Sequence, residues 1–418
     1  MPVPAARREE GDAPCQDAWV TDPAPNASPG WRPGTVRDAA GGILALMLAT
    51  FLAVTTELLP VGLLPLMSDE LDVTESTTGL LVTVYAFMVA ALAVPLTLAT
   101  VRLPRKGLLL GTLVAYTVSN ALVAVAPTFA VVAAGRAVGG IAHALFFSVS
   151  IGYGARLVQP LFTGRALALV TAGASAGFVF GVPLSTSLGA AVGWRTAFAV
   201  LAGVCALTTV LVALLLPAVA GGGGARRDDH GQAARRSRLA VVSTANALVY
   251  LGQFSVYTYV SVLLLAAGLS VAGVGPVLLG LGALGLVGTW YAGVSLDRRP
   301  RRTVLVVLVT LTLGLCALGL AFPALAPVLV AAAVWGAGFG GVASIFQTAA
   351  IRTRGASPDV VGALVNSTAN IGIGGGAALG GAVLAGYGVG WLPFVGAVLV
   401  LVGLVVVVVA RKAFPSAV

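Results

Sequence analysis

Few side chains in this sequence can do chemistry, and their setting makes them stand out. Glu57 sits inside the apolar run 41–67 and is the one acidic residue deep within any run of that kind. A charge so placed costs at least a few kcal/mol, which demands a function or a partner. Such carboxyls serve as proton relays or couple to a substrate; the plainer alternative is a structural partner for a buried cation or hydroxyl. Arg136 lies in the run 129–152, about 10 Å from its outer start, and Glu57 lies about 15 Å from the outer end of its own run. The depths are similar, so a Glu57–Arg136 pair is allowed, against the alternative that Arg136 snorkels to the outer interface. His143 follows seven residues on, two turns deeper on the same face, and is either a titrating group or a satisfied packing residue.

Polar stripes come next. Asn246, Tyr250, Gln253 and Tyr257 recur at spacings of 4, 3 and 4, one helical face. A polar and aromatic stripe does not face lipid cheaply, so it lines a cavity or bonds another helix; cavity lining is the expectation. Asn366 and Asn370 form a shorter stripe, although Gly372, Gly374, Gly375 and Gly376 beside them equally favour close helix packing. Phe146, Phe147, Trp290 and Trp335 are either substrate contacts or ordinary packing and interface anchors. No phosphate-binding loop and no metal-ligand spacing occurs, and Cys15, Cys205 and Cys316 are too scattered for a disulfide framework.

The elements that carry these groups are set by composition. Of 418 residues 58% are hydrophobic and 9% charged, with a mean hydropathy of +1.00, which excludes a soluble domain and makes lipid the solvent. A bilayer core of about 30 Å takes roughly 20 apolar residues per helix. Such runs occur at 41–67, 78–100, 107–126, 129–152, 164–190, 197–219, 239–267, 273–295, 303–322, 326–349, 361–386 and 391–410. The expected fold is therefore an all-α polytopic membrane protein of twelve transmembrane helices in two pseudo-symmetric six-helix bundles. Its parts are a disordered tail (1–40), a first bundle (41–219), a linker (220–238), a second bundle (239–410) and a short end (411–418).

Every Lys and Arg except Arg136 and Arg195 falls before span 1, after an even-numbered span or in the linker, which places both termini in the cytoplasm. The net charge of +9 is thus a topology signal, and no nucleic-acid partner is expected. An internal repeat supports the two halves: Val101-Arg-Leu-Pro-Arg-Lys106 aligns with Asp297-Arg-Arg-Pro-Arg-Arg302, and Gly177, Gly189, Gly193 and Trp194 align with Gly374, Gly386, Gly390 and Trp391.

Over residues 43–410 the chain resembles the major facilitator superfamily, in its twelve-span drug–proton antiporter branch, and within it sugar-efflux-like and chloramphenicol-exporter-like members. The residues that carry the likeness are Thr56-Glu57-Leu-Leu-Pro60-Val-Gly-Leu-Leu-Pro65, Leu81-Val-Thr-Val-Tyr85-Ala, the basic loop after span 2, Arg136 with Gly139 and Gly140, and Gly173, Gly177, Gly181 and Pro183 in span 5. The resemblance implies gating loops at Arg102, Arg105 and Lys106 and at Asp297, Arg298 and Arg301, all of which are also topology determinants. It implies an antiporter helix motif at Gly173, Gly177, Gly181 and Pro183, and a cavity position for Tyr85. Two departures stand out. Val101 replaces the acid that the family loop carries in the first half, and Pro183 is displaced by one residue from the usual Gly-Pro pair.

The resulting expectation is a plasma-membrane, proton-coupled exporter of a small amphiphilic molecule, acting as a monomer without cofactor, protons being the coupling ion. A sugar-efflux permease is the alternative. A receptor or scaffold lacks a recognition domain here, and an enzyme lacks clustered acids and histidines.

Overall fold

The computed structural model describes residues 33–100, 102–218, 232–356 and 358–415. Among the described residues, twelve helices are long and apolar enough to cross a membrane. Spans 1 to 6 are Ala40–Leu71, Glu75–Ala99, Arg105–Ala124, Phe129–Arg156, Pro160–Val192 and Trp194–Leu215. Spans 7 to 12 are Gln232–Ala266, Val271–Ser295, Pro300–Ala321, Leu325–Arg352, Val360–Tyr387 and Val389–Val409. With an even number of crossings, span 1 starts and span 12 ends on one side, called here the terminal side.

Two stretches differ from the sequence expectation. Helix starts at Gln232, so residues 232–238 continue span 7 rather than belonging to the linker; Gln, Ala and Arg there are good helix formers. Residues 33–39, expected in the disordered tail, are ordered. Gly34 bridges Val158, the Gln159 amide donates to the Gly34 carbonyl at 3.0 Å, and Thr35 and Asp38 close a turn through the Asp38 carboxylate. Those two hydrogen bonds hold the Asp38 carboxyl below its ordinary value.

The buried apolar side chains separate into two cores. One is built wholly from residues before 217; the other comes from the second half, joined by Leu58, Val61, Leu64, Val82, Ala86 and Val182. Those six, from spans 1, 2 and 5, mark where the halves meet. Hydroxyl-to-carbonyl bonds stitch span 2 to span 11: Ser76 to Gly381 at 2.8 Å, Thr83 to Gly374 at 3.0 Å and Ser367 to Ala90 at 2.6 Å. Spans 5 and 8 meet chiefly through the far half of span 5, Gly177–Val192. There Gly275 and Gly282 let span 8 approach so closely that a Cβ would stand 2.1 Å from Ser187 Oγ and 2.8 Å from Val179 Cα. The span 5–span 8 contact and the Ser76–Gly381 bond lie towards the side opposite the termini, while Ser367–Ala90 lies past the middle of its two spans, nearer the terminal side.

Three spans are irregular inside the membrane. Span 5 turns π-helical at Gly177–Gly181, just before Pro183, whose missing N–H and ring disturb the carbonyl four residues back. Span 7 breaks between Tyr257 and Val260, and span 10 between Phe339 and Val342 at the pair Gly340-Gly341. At the last break Gly340 touches Gly285 of span 8, and Thr289 Oγ1 donates to the Gly340 carbonyl at 2.7 Å.

Candidate functional site

Two prolines in span 1 create the site. Proline has no N–H, so Pro60 and Pro65 leave the carbonyls of Thr56 and Val61 without their helical donors. Both are satisfied from other spans. Arg136 Nη1 donates to the Thr56 carbonyl at 2.5 Å, and Ser261 Oγ, from the opposite half, donates to the Val61 carbonyl at 2.8 Å.

Arg136 is buried, with its guanidinium 4.2 Å over the Tyr85 ring, so it does not snorkel. Nor does it pair with the Glu57 side chain. Its fork is taken up by main chain: Thr56, the Glu57 carbonyl at 2.6 Å and the Leu81 carbonyl at 3.4 Å. The Glu57–Arg136 pair that their matching depths allow is therefore not formed between the two side chains. The charge sits beside the carboxylate, but three of its five N–H donors go to main-chain carbonyls, one of them the Thr56 carbonyl that Pro60 leaves without a helical donor.

The Glu57 carboxylate faces His143 instead. Its Oε2 lies 3.8 Å from His143 Nε2, and its Oε1 is buried with no hydrogen-bond partner among the described residues. His143 Nδ1 stands 2.9 Å from the Tyr85 hydroxyl, and the imidazole is walled by the Tyr85, Tyr116 and Phe147 rings. His143, two turns from Arg136 on span 4, thus reaches the Glu57 carboxylate with its side chain. If the Tyr85 hydroxyl donates to Nδ1, then Nε2 carries its proton towards an ionised Glu57. If it accepts, the Nε2 lone pair faces a protonated carboxyl. One arrangement of heavy atoms thus serves both states of the acid.

Behind this cluster, Asn120 Nδ2 donates to Thr56 Oγ1 at 3.0 Å and to the Tyr116 carbonyl at 2.9 Å, tying span 3 to span 1. Tyr116 and Asn120 escaped the sequence reading, although each is a polar group in an apolar run, the signal used elsewhere. Tyr85 is wholly buried within the cluster, not on an open cavity wall.

The stripe on span 7 divides. Asn246 is fully buried and donates to the Val365 carbonyl and to Thr368 Oγ1, each at 3.0 Å, so it joins span 7 to span 11 and does not line a cavity. Asn370 Nδ2 bonds the Asn366 carbonyl at 3.0 Å and its side-chain oxygen at 3.3 Å, within one helix. Gly372 and Gly376 of that helix bring it against the Ala247 and Leu251 carbonyls, which favours packing there. Gln253 accepts from Trp335 Nε1 at 2.7 Å, while Tyr250 and Tyr257 enter an aromatic group with Phe254 and Phe339. Trp290 is 68% exposed on the outer surface of span 8, an anchor rather than a site residue.

The basic loops act on helix ends. Lys106 Nζ donates to the Ala213 and Leu216 carbonyls at 2.8 and 2.6 Å, at the end of span 6. Arg301 donates to the Val407, Val408 and Phe414 carbonyls at the end of span 12. A cation at a helix C-terminus meets orphan carbonyls and the negative end of the dipole. Arg105 is buried and Arg102 and Arg298 are exposed. Asp297 accepts from Arg352 at 2.8 Å, tying the loop after span 8 to the end of span 10. Arg156 holds the equivalent of Arg352 in the first half, but the acid is replaced by Val101, which lies outside the described residues. Gly173, Gly177 and Gly181 face span 1, where a Cβ would stand 2.1 Å from the Met47 carbonyl, 2.6 Å from the Phe51 carbonyl and 1.9 Å from Thr55 Oγ1. Pro183 is buried with its carbonyl against Gly275. Arg195, the other off-pattern cation, pairs with Glu70 and donates to the Ala126 carbonyl at 2.9 Å, joining spans 1, 3 and 6 on the far side.

The family model described as Major Facilitator Superfamily matches residues 46–363. A chloramphenicol efflux pump of Mycobacterium tuberculosis is 34% identical over 373 residues, 87% of this chain and 90% of that protein. A probable sugar efflux transporter of Mannheimia succiniciproducens is 29% identical over 364 residues, covering 87% and 92% of the two chains. Among solved structures, a bacterial homologue of the human lysosomal transporter Spinster, inward-facing and occupied, superposes with a TM-score of 0.72 at 15% identity over 92% of this chain and 98% of its own. The human organic anion transporter MFSD10 gives 0.67 at 17% over 88% and 99%. Span number, two-core packing and these likenesses agree: this chain is a multi-pass membrane transporter, not an enzyme, and belongs to the major facilitator superfamily.

Proposed function

We propose that the protein is a proton-coupled antiporter of the plasma membrane that exports a small amphiphilic molecule, with both chain ends in the cytoplasm and the monomer as the working unit. The observation that carries this is the Glu57 carboxyl: buried, with Oε1 unpartnered among the described residues, facing a histidine, and next to a cation whose hydrogen bonds go to main-chain carbonyls. Such a group can change charge without breaking an ion pair. Rocking of span 1 against span 4, or substrate entry beside Glu57, alters its distance from Arg136 and His143, and so moves a proton. The far-side contacts between the halves, Ser76–Gly381 and the span 5–span 8 approach, are what alternating access would open.

An amphiphile is favoured over a sugar because a sugar site needs many free hydrogen-bonding groups. Asn246 and Asn370 spend their amide N–H groups between or within helices, leaving their buried Oδ1 acceptors as the free groups there, and what remains beside Gln253 is aromatic. The relatives' names point both ways, so both substrates belong in the test. In vesicles with an imposed pH gradient, wild-type protein should accumulate chloramphenicol or a like amphiphile and leave simple sugars behind. Glu57→Gln should abolish the gradient-driven part while expressing normally. Full proton-driven accumulation by Glu57→Gln would remove this residue as the coupling site.

A further inference from the structure

The three irregular spans converge on three aromatic rings. Phe178 lies in the π-helical segment of span 5, Tyr257 is the last residue before the break in span 7, and Phe339 the last before the break in span 10. Phe178, from the first half, stacks on Tyr257 of the second half with ring centroids 5.3 Å apart and an interplanar angle of 21°, and lies 6.2 Å from Phe339. Phe178 and Phe339 keep part of their surface open. Helix irregularity in three spans whose rings meet rarely lacks a role, since each departs from the regular i−4 ladder, with the Val182 amide donating to the Gly177 carbonyl and the Tyr259 amide to the Val256 carbonyl.

One turn before Tyr257, on the same face, stands Gln253. Its Oε1 is held by Trp335 Nε1, and its Nε2 donates to no described residue. The Trp335 ring in turn meets Tyr257 edge-on at 6.1 Å. An amide donor held by Trp335 therefore sits beside a stacked ring pair of which one member, Phe178, belongs to the first half.

We infer that Tyr257, Phe339 and Gln253 form a subsite for a flat aromatic ring bearing a hydrogen-bond acceptor, and that Phe178 is its stand-in occupant in this closed arrangement. The substrate ring stacks on Tyr257 where Phe178 now lies, and its acceptor takes the Gln253 amide. When the halves separate, Phe178 leaves with span 5, and the vacated face receives the ring. This deepens the exporter reading and rests on it for the ligand's physiological meaning, but binding is measured without any gradient, so failure of proton coupling and failure of the subsite are separable.

The test uses the full chain in detergent with Trp335 as the sole tryptophan, the other five of the 6 being Phe, and 4-nitrobenzyl alcohol as a quenching probe. Quenching of Trp335 should saturate, and benzyl alcohol should displace the probe while cyclohexylmethanol at equal concentration does not. Tyr257→Leu and Phe339→Leu should each weaken binding about tenfold, and Phe339→Tyr should restore it, which separates ring loss from misfolding. Phe178→Ala should tighten binding by about threefold, the opposite of what removing a wall residue does. Non-saturating quenching, equal competition by cyclohexylmethanol, or weaker binding in Phe178→Ala would each overturn the assignment.

Discussion

Arg136 illustrates how a single side chain acquires a necessity that its charge alone does not explain. Pro60 strips the Thr56 carbonyl of its helical donor, and Arg136 supplies one while its second nitrogen reaches the Glu57 carbonyl. A planar fork can span two adjacent carbonyls; a lysine ammonium offers one flexible point. Arg136→Lys should therefore lower proton-driven transport at least tenfold, and Arg136→Ala should destabilise the fold as well, an orphaned buried carbonyl costing about 1–3 kcal/mol. Pro60→Ala gives Thr56 a helical partner again. In a double-mutant cycle read by thermal unfolding in detergent, Arg136→Ala should cost less in the Pro60→Ala background than in the wild type. Equal costs in both backgrounds would mean that Arg136 acts on the carboxylate and not on the helix.

At the next level up, span 1 carries the same device twice, and its second copy crosses between the halves. Pro65 frees the Val61 carbonyl, which Ser261 of span 7 takes at 2.8 Å. The proton site and the far-side contact are thus two proline-made acceptors, Thr56 and Val61, five residues apart on one rigid helix. Ser261→Ala should weaken the closed arrangement, seen as faster labelling of a far-side cysteine by a membrane-impermeant reagent, with Pro65→Ala acting in the same direction because it supplies the missing donor locally. Slower or unchanged labelling in both would show that this bond does not hold the far-side contact.

Much of this was legible beforehand. Twelve spans and two halves follow from apolar length and the loop repeat, and Glu57, Arg136 and His143 were marked by rarity alone. What composition conceals is who bonds whom. A stripe such as Asn246 to Tyr257 reads the same whether it faces a cavity or span 11, because helical periodicity fixes a face and not the neighbour that covers it. Likewise Arg136 and Glu57 match in depth, yet the competing acceptors that win the guanidinium are main-chain atoms, visible only through the consequence of Pro60.

Taken as a whole, the molecule is two bundles whose contact through spans 5 and 8 lies towards the side opposite the termini, and transport by alternating access requires that contact to break. Spans 5 and 8 are the pair to fix, since Gly275 and Ser187 approach so closely that a Cβ on the glycine would lie 3.2 Å from the Ser187 Cβ. That is just short of the roughly 3.5–4.5 Å range of disulfide-bonded Cβ atoms, so a slight parting of the helices accommodates a bridge. In a background where Cys15, Cys205 and Cys316 are replaced by Ala, Ser187→Cys with Gly275→Cys should cross-link under mild oxidation. The cross-linked protein should stop exporting and recover on reduction, while the reduced double variant and each single variant transport. Phe178, nine residues back along span 5, would be held against Tyr257 by the same bridge, so quenching of Trp335 by a nitroaromatic probe should fall together with transport. Undiminished export by protein shown to be fully cross-linked would mean that the two halves do not separate along spans 5 and 8 during the cycle, and the path outward would then have to lie elsewhere between them.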